Sequence, residues 1–442
     1  MSLANSRYYR GIDRKEYLKK NTLRGHQKRF GYPATTKQRE RMDYEISIIA
    51  DKNLCGHFIV LAETLEYLRK FGVMEKIQGV ISASFVAYCL GISDTDPLRY
   101  DIIFESYLNP ISPKVPICTV EISNNRLLHL GQNQKGRLKT YLVFPSILSP
   151  EFKEGKKPGK TYSVLAPARD GIKNVFNHLA INKSPLVRFE YHSESQNLYD
   201  VCSDFYLVRE TLRNIKRYRG KELELCHIPL NDPKIYELFA QRELDDIPWL
   251  GFDDLKLEIG HFGIRNFNDL IIFIGAVTSC FFPEITQGDY QIEDVYEIVY
   301  RKDNPANIPN RYPAITEILK ESYGYILFYE HIVKIAVRTG GITIPEAGLL
   351  VDILLYGDIH EKAKERESFI RKARNTGYTA EESVEIFNII GQVDRFWCKA
   401  SIADWALFIY RILYLKANYR KEYDTALITG TKGESLNREE GE

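Results

Sequence analysis

The chain has 442 residues, 44% of them hydrophobic and 27% charged, with a formal net charge of +1. That length leaves room for two to four domains with real cores, and the near-zero charge means that any nucleic-acid affinity must come from local patches. No apolar run reaches the ~18 residues of a membrane span. The start has no secretory leader, so a cytoplasmic protein without membrane contacts is expected. The 7 cysteines lie far apart with no CxxC pair, which points to buried reduced thiols. The 9 histidines form no HExxH or HxH pattern, which argues against zinc hydrolysis.

In chain order, residues 7–41 carry twelve Lys and Arg against Asp13, Glu16 and Glu40, a net of +9, with tyrosines and Phe30 interleaved. Such a run releases counterions from nucleic acid, so it is a candidate phosphate contact; a solvated basic helix is the competing reading. Residues 39–49 and 58–67 read as helices from the spacing of Met42, Ile46 and Ile49 and of Leu61, Leu65 and Leu68, with Cys55-Gly56 between them. Residues 84–90 read as a helix that Gly91 terminates. After a turn at 94–97, residues 100–108 form a short element with aromatic anchors. Pro110, Pro113 and Pro116 impose an extended approach. Residues 117–122 then alternate as a strand does.

Residues 124–168 are rich in turn signals. A second basic run, Arg209, Arg213, Lys216, Arg217, Arg219 and Lys221, has only Glu210 opposing it within 209–221. Trp249 reads as core packing. Residues 268–276 form an apolar helix, and 378–390 an amphipathic one with a capping box at Thr379 and Glu382. The last dozen residues are polar and expected to fray.

Several of these stretches share one resemblance. SFVAYCLGISDTDPLRYDIIFESYLNP (84–110), RERMDYEISIIADKNLCGHFIVLAETLEYLRKFGV (39–73), VCSDFYLVRETLRNI (201–215), HIPLNDPKIYEL (227–238) and YPAITEILKESYGYILFYEHIVKIAVRTG (312–340) resemble the palm and fingers of the bacterial DNA polymerase III alpha subunit, the C-family replicative polymerase. The likeness covers roughly residues 28–123 and 169–429. It implies an α+β fold: a nucleotidyltransferase-like palm, with a small mixed sheet and helices, plus a large, mostly helical fingers domain. The implied division is a basic lead-in and first palm part (1–123), a shortened thumb or insertion (124–168), a second palm part (169–215), helical fingers (216–430) and a disordered tail (431–442). The family's phosphoesterase-like domain would precede this region, and its clamp-binding and OB-type regions would follow it.

The chemistry of the resembling family is incomplete here. Nucleotidyl transfer uses two divalent ions clamped by carboxylates. The family supplies them from a Pro-Asp-x-Asp-x-Asp strand and a distant aspartate. After Pro116 this chain places Ile117 and Thr119 at the two ligand positions and Glu121 at the accessory acidic one. Asp204 holds the distant position, on what the resemblance makes a palm strand. The family's Gly-Arg-Gly-Ser phosphate turn is reduced to Gly79, followed by β-branched Val80 and Ile81. In the fingers, an Arg-Pro-Gly-Pro turn becomes Thr278-Ser279-Cys280-Phe281, an arginine pair becomes Val351-Asp352, and Lys-Ser-His becomes Lys399-Ala400-Ser401.

The expected product is a polymerase scaffold without catalysis, which keeps binding to DNA or to replication or repair proteins. Asp204 is the residual catalytic residue. Gly79, Arg169, Lys173, Arg209, Arg213 and Lys399 are the remaining phosphate- or DNA-binding candidates, and Asp204 and Glu121 the weak metal-ligand candidates. No cofactor is expected, and Mg²⁺ only if activity is retained. The alternatives are an active divergent polymerase that recruits carboxylates such as Glu121 and Glu190, and an accessory module that binds protein alone.

Overall fold

The computed structural model describes residues 13–70, 75–114, 118–123, 187–192, 201–247, 249–281, 293–309, 311–391 and 397–439. They are mostly helical, and the chain forms two compact units from interleaved segments. The first takes Met1–Leu98, Val115–Ile228 and Tyr414–Glu442; the second takes Arg99–Lys114 and Pro229–Leu413. The cut expected at 215/216 falls inside a helix, and the second unit borrows residues from the stretch assigned to the first palm part.

The first unit opens with α1 (Arg14–Phe30), which Asp13 caps at its start and Gly31 closes in the left-handed conformation. After it come α2 (Thr36–Asp51), α3 (Cys55–Lys70) and the short α4 (Phe85–Cys89). Met42, Ile46 and Ile49 are buried, as their spacing requires. Cys55-Gly56 starts α3 instead of separating two helices. Gly91 ends α4 as expected, at φ +73°, with the Ile92 N–H donating back to the Ala87 carbonyl. The backbones of α1 and α4 touch at Gly25, where an added Cβ would lie 1.9 Å from the Cys89 carbonyl oxygen.

One buried carboxylate organises this corner. Glu45 on α2 is 0% exposed. It accepts from the Ser84 hydroxyl at 2.6 Å and from the N–H groups of Phe85 and Val86 at 2.9 and 3.0 Å. Those are donors that a helix start leaves without an internal partner. Arg41 neutralises the charge, donating to Glu45 at 2.5 Å and to the Ala83 carbonyl at 2.9 Å. A buried carboxylate is tolerated only when paired and hydrogen-bonded in this way.

The described strands form a three-stranded sheet ordered β1 (Glu75–Gln78), β2 (Cys118–Ser123), β3 (Val187–His192). β1 and β2 are antiparallel, β2 and β3 parallel. The unit closes with α5 (Val201–Arg219), which packs beside β2. The expectation of a strand carrying Asp204 is therefore corrected: residues 201–219 are helical. Val201, Phe205, Val208, Leu212 and Ile215 recur at steps of four and three, the helical period.

The regular elements described in the second unit are helices, with one isolated bridge between Phe328 and Trp397. In order the helices are α6 (Pro233–Gln241), α7 (Asp253–Phe262), α8 (Phe267–Phe281), α9 (Glu293–Asp303), α10 (Pro313–Ile318), α11 (Tyr329–Gly340), α12 (Ile344–Tyr356), α13 (Ile359–Asn375) and α14 (Ala380–Gly391). α15 (Lys399–Asn418) carries the chain back to the first unit, and α16 (Arg420–Glu439) packs along α5. α11 is the central helix, with Ile332, Val333, Ile335 and Ala336 fully buried in a core shared with α10, α12, α13 and α14. Thr379 and Glu382 form the expected reciprocal cap on α14, at 2.8 and 3.1 Å. Trp249, half-buried, packs on Trp405 with centroids 4.5 Å apart.

Two expectations fail here. Helix α16 continues to Glu439, so 431–439 is helical instead of a disordered tail; its first turns are pinned to α5, and each further turn adds its own hydrogen bonds. Cys226 is exposed, although Cys55 and Cys89 are buried as expected. Among the described residues no single helix is long and apolar enough to cross a membrane.

Removing the Glu45 carboxylate leaves a hydroxyl and two amides of α4 without their acceptor. Glu45→Ala is expected to lower unfolding stability by about 2–4 kcal/mol, measured by urea denaturation. A loss under about 1 kcal/mol would contradict this role.

Candidate functional site

The sheet brings together part of the expected site. Position 119 pairs with Gln78 on one side and Arg188 on the other. Position 121 pairs with Lys76 and Glu190. Asp204 lies in the first turn of α5, the helix that packs beside β2. Ile117, Arg169 and Lys173 lie outside the described residues. An aspartate pair for two ions does not fit what is present: position 119 is threonine and position 117 isoleucine. Hard divalent cations take oxygen ligands, and an isoleucine offers none.

The turn before α4 is packed against the core. Gly79 has φ 114° and ψ −176°, a conformation essentially confined to glycine. The residues after it, Val80–Ala83, form a 3₁₀ turn in which Ile81, Ser82 and Ala83 are at most 2% exposed. The Ser82 hydroxyl meets that of Ser93 at 3.0 Å. Beyond the turn, the α4 amides of Phe85 and Val86 are already taken by Glu45. Helix-start amides attract anions, but here the anion is internal. Sequence reasoning passed over Glu45, although its place three residues after Met42 and one before Ile46 puts it on the buried face of α2.

The altered fingers positions follow the same course. Thr278 is buried within α8, its hydroxyl returned to the Ile274 carbonyl at 2.7 Å. Val351 is fully buried on α12, and Asp352 meets Lys114 at 3.3 Å. Neither position offers a cation to a phosphate.

Lys399 is 4% exposed, so it is neither a surface lysine nor open to a phosphate. Its ammonium donates to both carboxylate oxygens of Glu321, at 2.9 and 2.7 Å. Glu321 also meets His331 Nε2 at 3.0 Å, while His331 Nδ1 accepts from the Leu327 N–H at 3.2 Å. Nδ1 is therefore the acceptor nitrogen and Nε2 carries the proton. Burial pushes His331 toward the neutral form. Partial burial alone would raise the Glu321 carboxyl, but the His331 hydrogen bond and the Lys399 charge outweigh it and hold it at about 2. The adjacent Glu330, fully buried, accepts from the Lys399 N–H at 2.9 Å, and burial raises its carboxyl.

Four of the six cations of the second basic run are ion-paired. Arg209 and Arg213 both pair with Glu210, at 3.2 and 2.5 Å. Lys216 pairs with Glu222, and Arg219 binds Glu422 through two nitrogens at 2.6 and 2.9 Å. Lys221 donates to the Tyr419 hydroxyl at 2.9 Å. Glu222 and Glu422 lie outside the run, which is why the pattern at 209–221 reads as unopposed.

Because the Glu321 carboxyl lies below its ordinary 4.5, its stabilisation is present above that pH and is lost as pH falls toward about 2. Glu321→Gln is expected to lower the Tm at pH 7 and to flatten its fall between about pH 4.5 and 2. Calorimetry across that range reads the effect; an acid limb as steep as wild type would contradict it.

Comparisons with known proteins converge on one family. The family model described as the bacterial DNA polymerase III alpha NTPase domain matches residues 16–132, and that of the alpha subunit finger domain matches residues 204–377. The DNA polymerase III subunit alpha of Halalkalibacterium halodurans is 23% identical, over 93% of this chain and 43% of its own length. The Thermus aquaticus subunit is 24% identical over 89% of this chain and 38% of its own, and that of Staphylococcus aureus 22% over 89% and 43%. The chain thus spans about two-fifths of the length of these curated relatives. With both domains matched in order and the relatives aligned across nearly all of it, the chain belongs, as a diverged member, to the bacterial DNA polymerase III alpha subunit family.

Proposed function

We propose that this protein is a catalytically silent relative of the polymerase, in which the nucleotidyltransferase-like palm and the fingers persist as a scaffold that binds DNA. The observation that carries the reading is the replacement pattern. The positions for the aspartate pair hold Ile117 and Thr119, and the residues after Gly79, the remnant of the phosphate turn, bury Ile81, Ser82 and Ala83 as packing. Lys399, the one basic group kept from its fingers motif, is consumed by Glu321. In this reading the sheet of β1, β2 and β3 is the palm remnant, and the second unit corresponds to the fingers. DNA-processing proteins of replication or repair are the expected context.

One observation favours the active alternative. The β2–β3 register sets Glu121 directly beside Glu190, two carboxylate positions on neighbouring strands of the sheet that α5 packs against. With Asp204 on α5 these would be a displaced ligand set for Mg²⁺.

Primer extension on a labelled primed template, with Mg²⁺ or Mn²⁺ and all four deoxynucleotides, separates the two. The silent reading expects no template-directed product. Extension that Asp204→Ala, Glu121→Gln or Glu190→Gln abolishes would establish the alternative. Binding of the same duplex tests the retained function, and absence of binding at low salt would leave a protein-binding module instead.

A further inference from the structure

The two basic runs of this chain have different fates, and the difference identifies a surface. Along α1, Lys20, Arg24 and Lys28 are all exposed. They recur every four residues, so they form one stripe about 12 Å long that turns by only about 80° around the helix. Among the described residues none of the three has an anionic partner. Lys37 and Arg39, at the start of α2, are exposed as well. Three other cations of the region are engaged: Lys19 with Asp43 at 2.7 Å, Arg29 with Asp94 at 3.0 Å, and Arg41 with Glu45. Arg29 also lies over the Tyr88 ring at 4.3 Å.

Only part of this region's positive charge is therefore structural. The stripe stays unneutralised and solvent-facing on a helix fixed to the core by Leu18, Thr22 and His26, all buried. In the run at 209–221, by contrast, Arg209, Arg213, Lys216 and Arg219 pair with Glu210, Glu222 and Glu422, and Arg217 is left with the Tyr218 ring. A row of free, regularly spaced cations fits a polyanion with regularly spaced charges, and duplex DNA carries one phosphate per ~3.4 Å of each strand.

We propose that the exposed face of α1, through Lys20, Arg24 and Lys28, is the principal phosphodiester-backbone contact of this chain, and that the 209–221 run is not. The inference rests on the proposed DNA-binding function and adds its location. Contacts of this kind carry no base information, so binding here is sequence-independent and falls steeply with salt.

The test uses the full chain and a fluorescein-labelled 20-base-pair duplex, with anisotropy titrations from low to physiological salt. One variant carries Lys20→Ala, Arg24→Ala and Lys28→Ala; the other carries Arg213→Ala, Lys216→Ala and Arg217→Ala. All six side chains are at the surface or partly so, and matching thermal melts show that folding is kept. The α1 variant is expected to bind at least roughly tenfold more weakly and to lose about 2.7 from the slope of log affinity against log salt. The second variant is expected to change affinity less than about twofold. Wild-type binding that the α1 substitutions leave intact, or that only the second set weakens, overturns this inference while the DNA-binding reading stands. No wild-type binding at low salt overturns both.

Discussion

The first unit turns on a single buried carboxylate. Glu45 reaches from α2 to the start of α4, takes up three of its donors, and is neutralised by an arginine one turn earlier on its own helix. Each of these bonds is worth only about 1–3 kcal/mol. Their geometry nevertheless fixes where α4 begins, and with it the path of the turn at Gly79. That turn joins β1 to α4 and passes beside the sheet whose strands carry positions 119 and 121. A carboxylate committed to this task occupies the helix-start amides of Phe85 and Val86 itself.

The same logic runs through the second unit. Lys399 cannot remain charged in an apolar interior without a partner, because an unpaired buried cation costs several kcal/mol. Glu321 is that partner, and His331 and Glu330 complete the set. Once closed, such a network leaves no spare charge for a ligand. These charged residues of the second unit face one another in the interior. The exposed stripe on α1, by contrast, has no ion-pair partner among the described residues.

The family and its element order are legible in the residues because many short stretches agree in sequence and spacing. Helices α2 and α14 follow from apolar spacing and capping chemistry, and the termination of α4 at Gly91 from the need for a left-handed residue. The strand at 118–123 follows from alternation. What is not legible is pairing at a distance. Glu422 lies more than two hundred residues from Arg219, and Glu321 nearly eighty from Lys399, so each cation reads as free along the chain. The helical state of 201–219 was legible from its own spacing but was overridden by a resemblance that placed Asp204 on a strand. Asp204 and Thr119 nonetheless fall on elements that pack together, α5 and β2.

The most direct test of a scaffold without its chemistry is the count of bound metal ions. Mn²⁺ titration of the full chain, followed by electron paramagnetic resonance with primed template and a deoxynucleoside triphosphate present, measures it. The account predicts no Mn²⁺ signal beyond that of the nucleotide and DNA alone. Two protein-dependent sites per chain, lost on Asp204→Ala, would contradict it.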